Sequence, residues 1–184
     1  MSPSPRIEGV LEIRSSAGSF IAALRRRVAA GLLSGGPGPR QNYEVVDRGE
    51  HGIGVRAVDW LTAINVGLNE LDLDLSEPGT LRFRLRYPRW AAYCCAVCAA
   101  LGIVGIGLLL TVDLRRLIAN HPKWWLPGLT PEQNVLVAWG NVLFWGFVWP
   151  WILVAKHKPP LQQLLARLIA DIDADAVDAM SDAG

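Results

Sequence analysis

Two stretches of the chain carry no charged side chain. Residues 90–112 (WAAYCCAVCAALGIVGIGLLLTV) and 135–155 (VLVAWGNVLFWGFVWPWILVA) are apolar throughout, broken only by isolated small or polar residues. Since about 20 apolar residues in a helix cover the ~30 Å hydrocarbon core of a bilayer, each run predicts a transmembrane helix. Within 90–112, Cys94, Cys98 and Gly102 recur every fourth residue. A row of small side chains lets another helix approach closely, and the second run is the expected neighbour. In 135–155, Pro150 predicts a kink or an interruption of hydrogen bonding, and Asn141 is the one strongly polar side chain, which in lipid needs a partner.

Ahead of the first run the period of the pattern shortens to two. Residues 7–14 (IEGVLEIR) set Ile7, Leu11 and Ile13 against Glu8, Glu12 and Arg14, which predicts a half-buried strand. Ser15 or Ser16 then caps a helix with Phe20, Ile21, Leu24, Val28 and Leu32 on one face and Arg25 and Arg26 on the other. A loop is expected at 34–39 (SGGPGP) and short strands at 43–47 and 53–57. Asp59 is placed to cap a helix carrying Trp60, Leu61, Ile64, Leu68 and Leu71, with Asn65 and Gly67 weakening it.

The clearest soluble signal is a β-hairpin over 70–87. Leu71, Leu73 and Leu75 alternate with acidic residues, SEPGT turns the chain, and Leu81, Phe83 and Leu85 alternate with arginines. With Leu75 opposite Leu81, Glu70 pairs with Arg86, Asp72 with Arg84 and Asp74 with Arg82. One face is then fully apolar and the other matched in sign, and a slip by one residue would destroy both. After the second apolar run, Pro159 and Pro160 open a helix with Leu161, Leu164, Leu165, Leu168, Ile169 and Ile172 on one stripe and Asp171, Asp173, Asp175, Asp178 and Asp182 toward its far end. That helix is expected to fold back on the soluble domain, to cover a partner, or both.

The predicted architecture is therefore α+β. A small cytoplasmic antiparallel-sheet domain with a packed helix (1–88) is followed by a two-helix transmembrane hairpin (90–112 and 135–155) and a C-terminal amphipathic helix (159–179). The linker 113–134 lies on the outer membrane surface, anchored by Trp124 and Trp125. The element order resembles that of helix-grip lipid-binding domains, with a shorter sheet that the membrane hairpin interrupts; likeness of fold alone implies no function.

Charge sets the orientation and removes one class of partner. Up to Arg89 there are 12 arginines against 10 carboxylates, and no segment is basic enough for nucleic acid. Arg82, Arg84, Arg86 and Arg89 before the first run and Lys156, Lys158 and Arg167 after the second outnumber Arg115, Arg116 and Lys123 between them. The positive-inside rule puts both termini in the cytoplasm. The N-terminus lacks the apolar core of a secretory signal, and Ala/Arg/Gly-rich usage suggests a bacterial inner membrane.

No catalytic grouping emerges, and no metal site or cofactor is expected. Cys94, Cys95 and Cys98 read as packing residues, with acylation of Cys94 or Cys95 the other reading. His51, His121 and His157 fall in separate segments. Arg89, Lys156 and Lys158 are placed to meet lipid headgroups, while the arginine row of the hairpin is matched by its acidic partner strand. Trp60, Ile64, Asn65 and Asn69 are candidates to line a ligand pocket over the sheet. The expectation is a non-enzymatic membrane protein, an accessory subunit or assembly scaffold, in contact with lipid and with a membrane-protein partner or a second copy. The alternative is a membrane-tethered module binding a lipid or small ligand between sheet and helices.

Overall fold

The structure is a computed structural model that describes residues 4–33, 42–49, 51–121 and 126–181. The expected loop at 34–39 and the tryptophan pair Trp124 and Trp125 lie outside the described residues. The fold is α+β, and the chain divides into two compact units, one of residues 4–91 with 156–184 and one containing 92–155.

The first unit is built on a five-stranded antiparallel sheet. Strands β1 (Arg6–Glu12), β2 (Tyr43–Asp47), β3 (Gly52–Ala57), β4 (Glu70–Asp74) and β5 (Thr80–Arg86) lie in the order β1-β5-β4-β3-β2. The β4–β5 register is the one the alternation dictates, with Glu70 opposite Arg86, Asp72 opposite Arg84 and Asp74 opposite Arg82. The turn closes by a hydrogen bond from Thr80 N to Glu77 O, with Pro78 at the second position and Gly79 at φ +74° at the third, the chemistry of a type II turn. Leu71, Leu73, Leu75, Leu81 and Leu85 are buried on one face. Phe83 is half-buried because its ring lies over Gly9 of β1, where any Cβ would collide with it.

Two helices complete this core. Helix α1 (Ala17–Ala30) starts at Ser16, whose hydroxyl accepts from Ser19 N, and buries Phe20, Ala23, Leu24 and Val28. Helix α7 (Lys158–Ser181) carries Pro159 and Pro160 in its first turn, where backbone N–H groups have no intrahelical acceptor to lose. It packs on α1 and β1 with Leu161, Leu165, Leu168, Ile169, Ile172 and Ala176 buried, so the C-terminal helix does fold back on the domain. Helix α2 (Trp60–Val66) is capped by Asp59 and is shorter than the periodicity implied. Gly67 adopts φ +83° and ends it, after which Leu68 is buried beyond the helix and Leu71 enters β4.

Helix α3 (Pro88–Thr111) follows β5 directly and carries the chain into the second unit. There lie α4 (Leu114–Asn120) and α5 (Pro131–Leu143), which begins in a capping box between Thr130 and Gln133. A single π turn, Phe144–Val148, joins α5 to α6 (Trp149–Lys156). Its position explains how Pro150 is accommodated. Proline has no N–H and its ring crowds the carbonyl four residues back, so the preceding turn widens and Trp149 N–H bonds Phe144 O, five residues back. Two helical segments, Pro88–Thr111 and the run Pro131–Ser181, are long and apolar enough to cross a membrane.

Candidate functional site

In the second unit, α3 meets the π turn at glycine on both sides. A Cβ on Gly146 would stand 2.7 Å from Gly102 Cα, and one on Gly105 would stand 2.9 Å from Val142 Cγ1. Only hydrogen side chains permit that approach, so Gly102 of the small-residue row marks the crossing. Cys98 contributes its carbonyl beside Gly146. All three cysteines are free and half-buried.

Beside the crossing runs a groove of about 780 Å³, lined by Cys98, Leu101, Val137, Asn141, Trp145 and Trp149 among others. Trp145 and Trp149 stack edge to face at 4.6 Å, with Phe144 against both. The Asn141 side chain is exposed in this apolar surface and makes no hydrogen bond among the described residues. Asn134, by contrast, is buried and fully engaged: its Oδ1 accepts from Leu126 N, and its Nδ2 donates to Leu129 O and Thr130 O. Around the groove, α3 and the α5–α6 run expose Leu101, Ile103, Val104, Leu108, Leu110, Leu136, Trp145 and Trp151.

In the sheet unit, the residues flanking the apolar helices are knit together. Asn69 Oδ1 accepts from Arg89 N (2.7 Å), Asn69 Nδ2 donates to Ala63 O (2.8 Å), and Arg89 Nη1 donates to Ala57 O (3.4 Å). His157, between α6 and α7, stacks on Trp90 at 3.8 Å and 10°, meets Tyr87 edge-on and presses against Gly67. Its Nε2 is buried with no hydrogen-bond partner among the described residues. Burial pushes the imidazole pKa below its ordinary value, against an opposing pull from the Val66 backbone carbonyl. Burial also pushes the Tyr87 hydroxyl up to about 12.

This network includes one of the residues expected to line a pocket over the sheet. Both ends of the Asn69 amide are occupied in holding α2 to the start of α3. Trp60 and Asn65 face outward, and Ile64 is half-buried. Of the expected headgroup contacts, Lys156 is exposed, while Arg89 and Lys158 are half-buried.

The charged sheet face differs from expectation in its partners. Arg84 bonds Glu8 of β1 (2.8 Å), Arg82 bonds Glu77 of the turn, Asp72 is taken by Arg48 (3.2 Å), and Glu70 lies between Arg56 (3.4 Å) and Arg86 (3.9 Å). The cross-strand register stands, but β5 lies between two strands that both present carboxylates. Arg84 therefore pairs toward β1, which no local pattern reveals.

One buried group belongs to no sequence expectation. Asp173 accepts from Arg14 N (3.0 and 3.2 Å), Ser15 N (3.0 Å) and Ser15 Oγ (2.6 Å), pinning α7 to the β1–α1 connection. Burial alone would raise its pKa, but these hydrogen bonds hold it below the ordinary carboxylate value. The signal was its spacing: Asp173 falls on the Leu165, Ile169, Ala176 stripe, where an acid without a partner would not be tolerated. Among the described residues, no group of three His, Cys, Asp or Glu could hold a metal ion.

The chain matches no family model, no curated protein and no solved structure.

Proposed function

We propose that this chain is a multi-pass protein of the bacterial inner membrane with both termini in the cytoplasm, acting as a non-enzymatic accessory subunit or scaffold. What supports the membrane reading is where the apolar surface lies. Only 6% of the most apolar 18-residue window of α3 is buried, which favours a helix facing lipid over the core helix of a water-soluble protein. The excess of basic residues outside 113–134 supports the orientation.

The observation that carries the subunit reading is Asn141. Its amide stands in an apolar groove with no partner among the described residues, and an unmet amide in hydrocarbon costs roughly several kcal/mol. A neighbouring transmembrane helix supplying a polar side chain would satisfy it and fill the groove. The reading of a pocket at Trp60, Ile64, Asn65 and Asn69 draws no such support, because Asn69 is already bonded at both ends.

The test is purification from native membranes in mild detergent, with mass spectrometry of proteins and extracted lipids together. A stoichiometric protein partner or a homo-oligomer is expected, weakened by Asn141→Leu. A clean monomer at near-endogenous expression refutes the subunit reading.

A further inference from the structure

Helix α2 is inside out for a helix that faces water. Its buried positions are Thr62 and Ala63, whereas Trp60 is 52% exposed and Leu61 67%, next to Val58 at 56%. An amphipathic helix on a soluble surface turns such side chains inward. Here the strand that α2 packs on, β3, already buries Ile53, Val55 and Ala57, each at most 2% exposed, and the large apolar groups of α2 point out.

The same helix is tied to both places where the chain enters or leaves its apolar helices. At the entry, Arg89 N donates to Asn69, Asn69 donates to Ala63 of α2, and the Arg89 guanidinium reaches Ala57, the residue before Val58. At the exit, the His157 ring lies against Gly67, the residue that ends α2.

We infer that Val58, Trp60 and Leu61 insert into the headgroup–acyl boundary of the bilayer, making α2 a third membrane contact that does not span. This rests on the proposed reading of the two apolar helices as spans. If they span, Arg89 and His157 lie at the membrane surface, and α2, tied to Arg89 through Asn69 and ended by the Gly67 that His157 packs on, lies close to that surface. A lipid surface fits the patch better than a protein does. Tryptophan with its amphipathic ring belongs at that boundary, and Arg89, which reaches the residue before Val58, answers lipid phosphates. The nearby acid, Asp59, turns its carboxylate back into the helix, accepting from Thr62 N and Thr62 Oγ1. Three side chains are also far short of the roughly 20 residues a side that a stable protein interface engages.

The test is a nitroxide label at Leu61→Cys in the full-length protein, with Cys94, Cys95 and Cys98 replaced by alanine, in nanodiscs of phosphatidylcholine and phosphatidylglycerol. Collision with oxygen and with a water-soluble nickel chelate is compared with labels at Leu108→Cys in α3 and Val10→Cys on the charged sheet face. The expected result at 61 is strong oxygen access and nickel access several-fold below that at 10. Nickel access at 61 equal to that at 10, with 108 still lipid-like, overturns the inference and leaves the spans standing. An aqueous signal at 108 overturns the spanning reading and the inference with it. A label at 61 shielded from both reagents means that protein covers α2, and overturns the inference too.

Discussion

Replacing Asp173 by alanine tests how α7 is fastened to the sheet. The carboxylate accepts from three donors, Arg14 N, Ser15 N and Ser15 Oγ, and it sits just before the N-cap of α1, where the helix dipole favours negative charge. At about 1 kcal/mol net for each hydrogen bond, removing it costs ~3 kcal/mol. Arg14 is exposed and can turn to water, while Ser15 is buried and cannot, so most of the loss falls on Ser15. The apolar stripe of α7 still holds the helix: Leu161, Leu165, Leu168, Ile169 and Ile172 are each buried, at about 1.5–3 kcal/mol apiece. Docking therefore weakens without being lost. The consequence is an opening equilibrium shifted by about a hundredfold, since ~1.4 kcal/mol is tenfold. Hydrogen exchange by mass spectrometry on the full chain in nanodiscs at neutral pH reads it directly. Peptides across the middle of α7 and across Arg14 and Ser15 should exchange faster together in Asp173→Ala, and Asp173→Asn, which keeps one acceptor oxygen, should fall between. Neutral pH is the right condition. The folded pKa is depressed, so the stabilisation is complete above the ordinary carboxylate value of ~3.9 and is lost as pH falls through the folded one. Wild-type exchange in α7 of Asp173→Ala would refute the assignment.

Three further outcomes follow from the geometry. Gly146→Leu drives a side chain into the Gly102 backbone, which cannot yield; thermal unfolding in detergent should show a loss of ~2–3 kcal/mol, whereas Gly140→Ala, in open space, should be near neutral. Gly67→Ala sets a Cβ against His157 Nε2 at φ +83°, a conformation that costs a non-glycine residue about 1–2 kcal/mol, and should diminish the near-ultraviolet dichroism of Trp90, with an unchanged spectrum counting against the packed ring stack. His157 has a depressed folded pKa, so the unfolded chain protonates first as pH falls. Stability should be full above about pH 6.5 and decline below it through the folded value; His157→Phe should flatten that part of a melting-temperature profile, and an unaltered slope would show that another group is responsible.

Local pattern determined most of the elements, because period and capping are properties of neighbouring residues. The alternation of 70–75 with 81–87 fixed the β4–β5 register, since only one alignment buries every leucine and matches every charge. Uninterrupted apolar length marked both candidate spans, and Pro150 marked the irregular turn, although the form of that irregularity, a π turn one step earlier, depends on backbone geometry. What the tertiary structure decided is which distant residues meet. That β1 joins the sheet beside β5 is set by a chain return across more than 60 residues, and it redirects Arg84 from Asp72 to Glu8. Asn69 looked like a ligand group because its two bonding partners, Ala63 and Arg89, are neighbours only after folding. In the sequence Asp173 is one of five aspartates toward the far end of the helix, and its donors lie 158 and 159 residues away. An isolated polar side chain shows what it can bond; its partner is chosen by the fold that buries it, since only a buried group must find one.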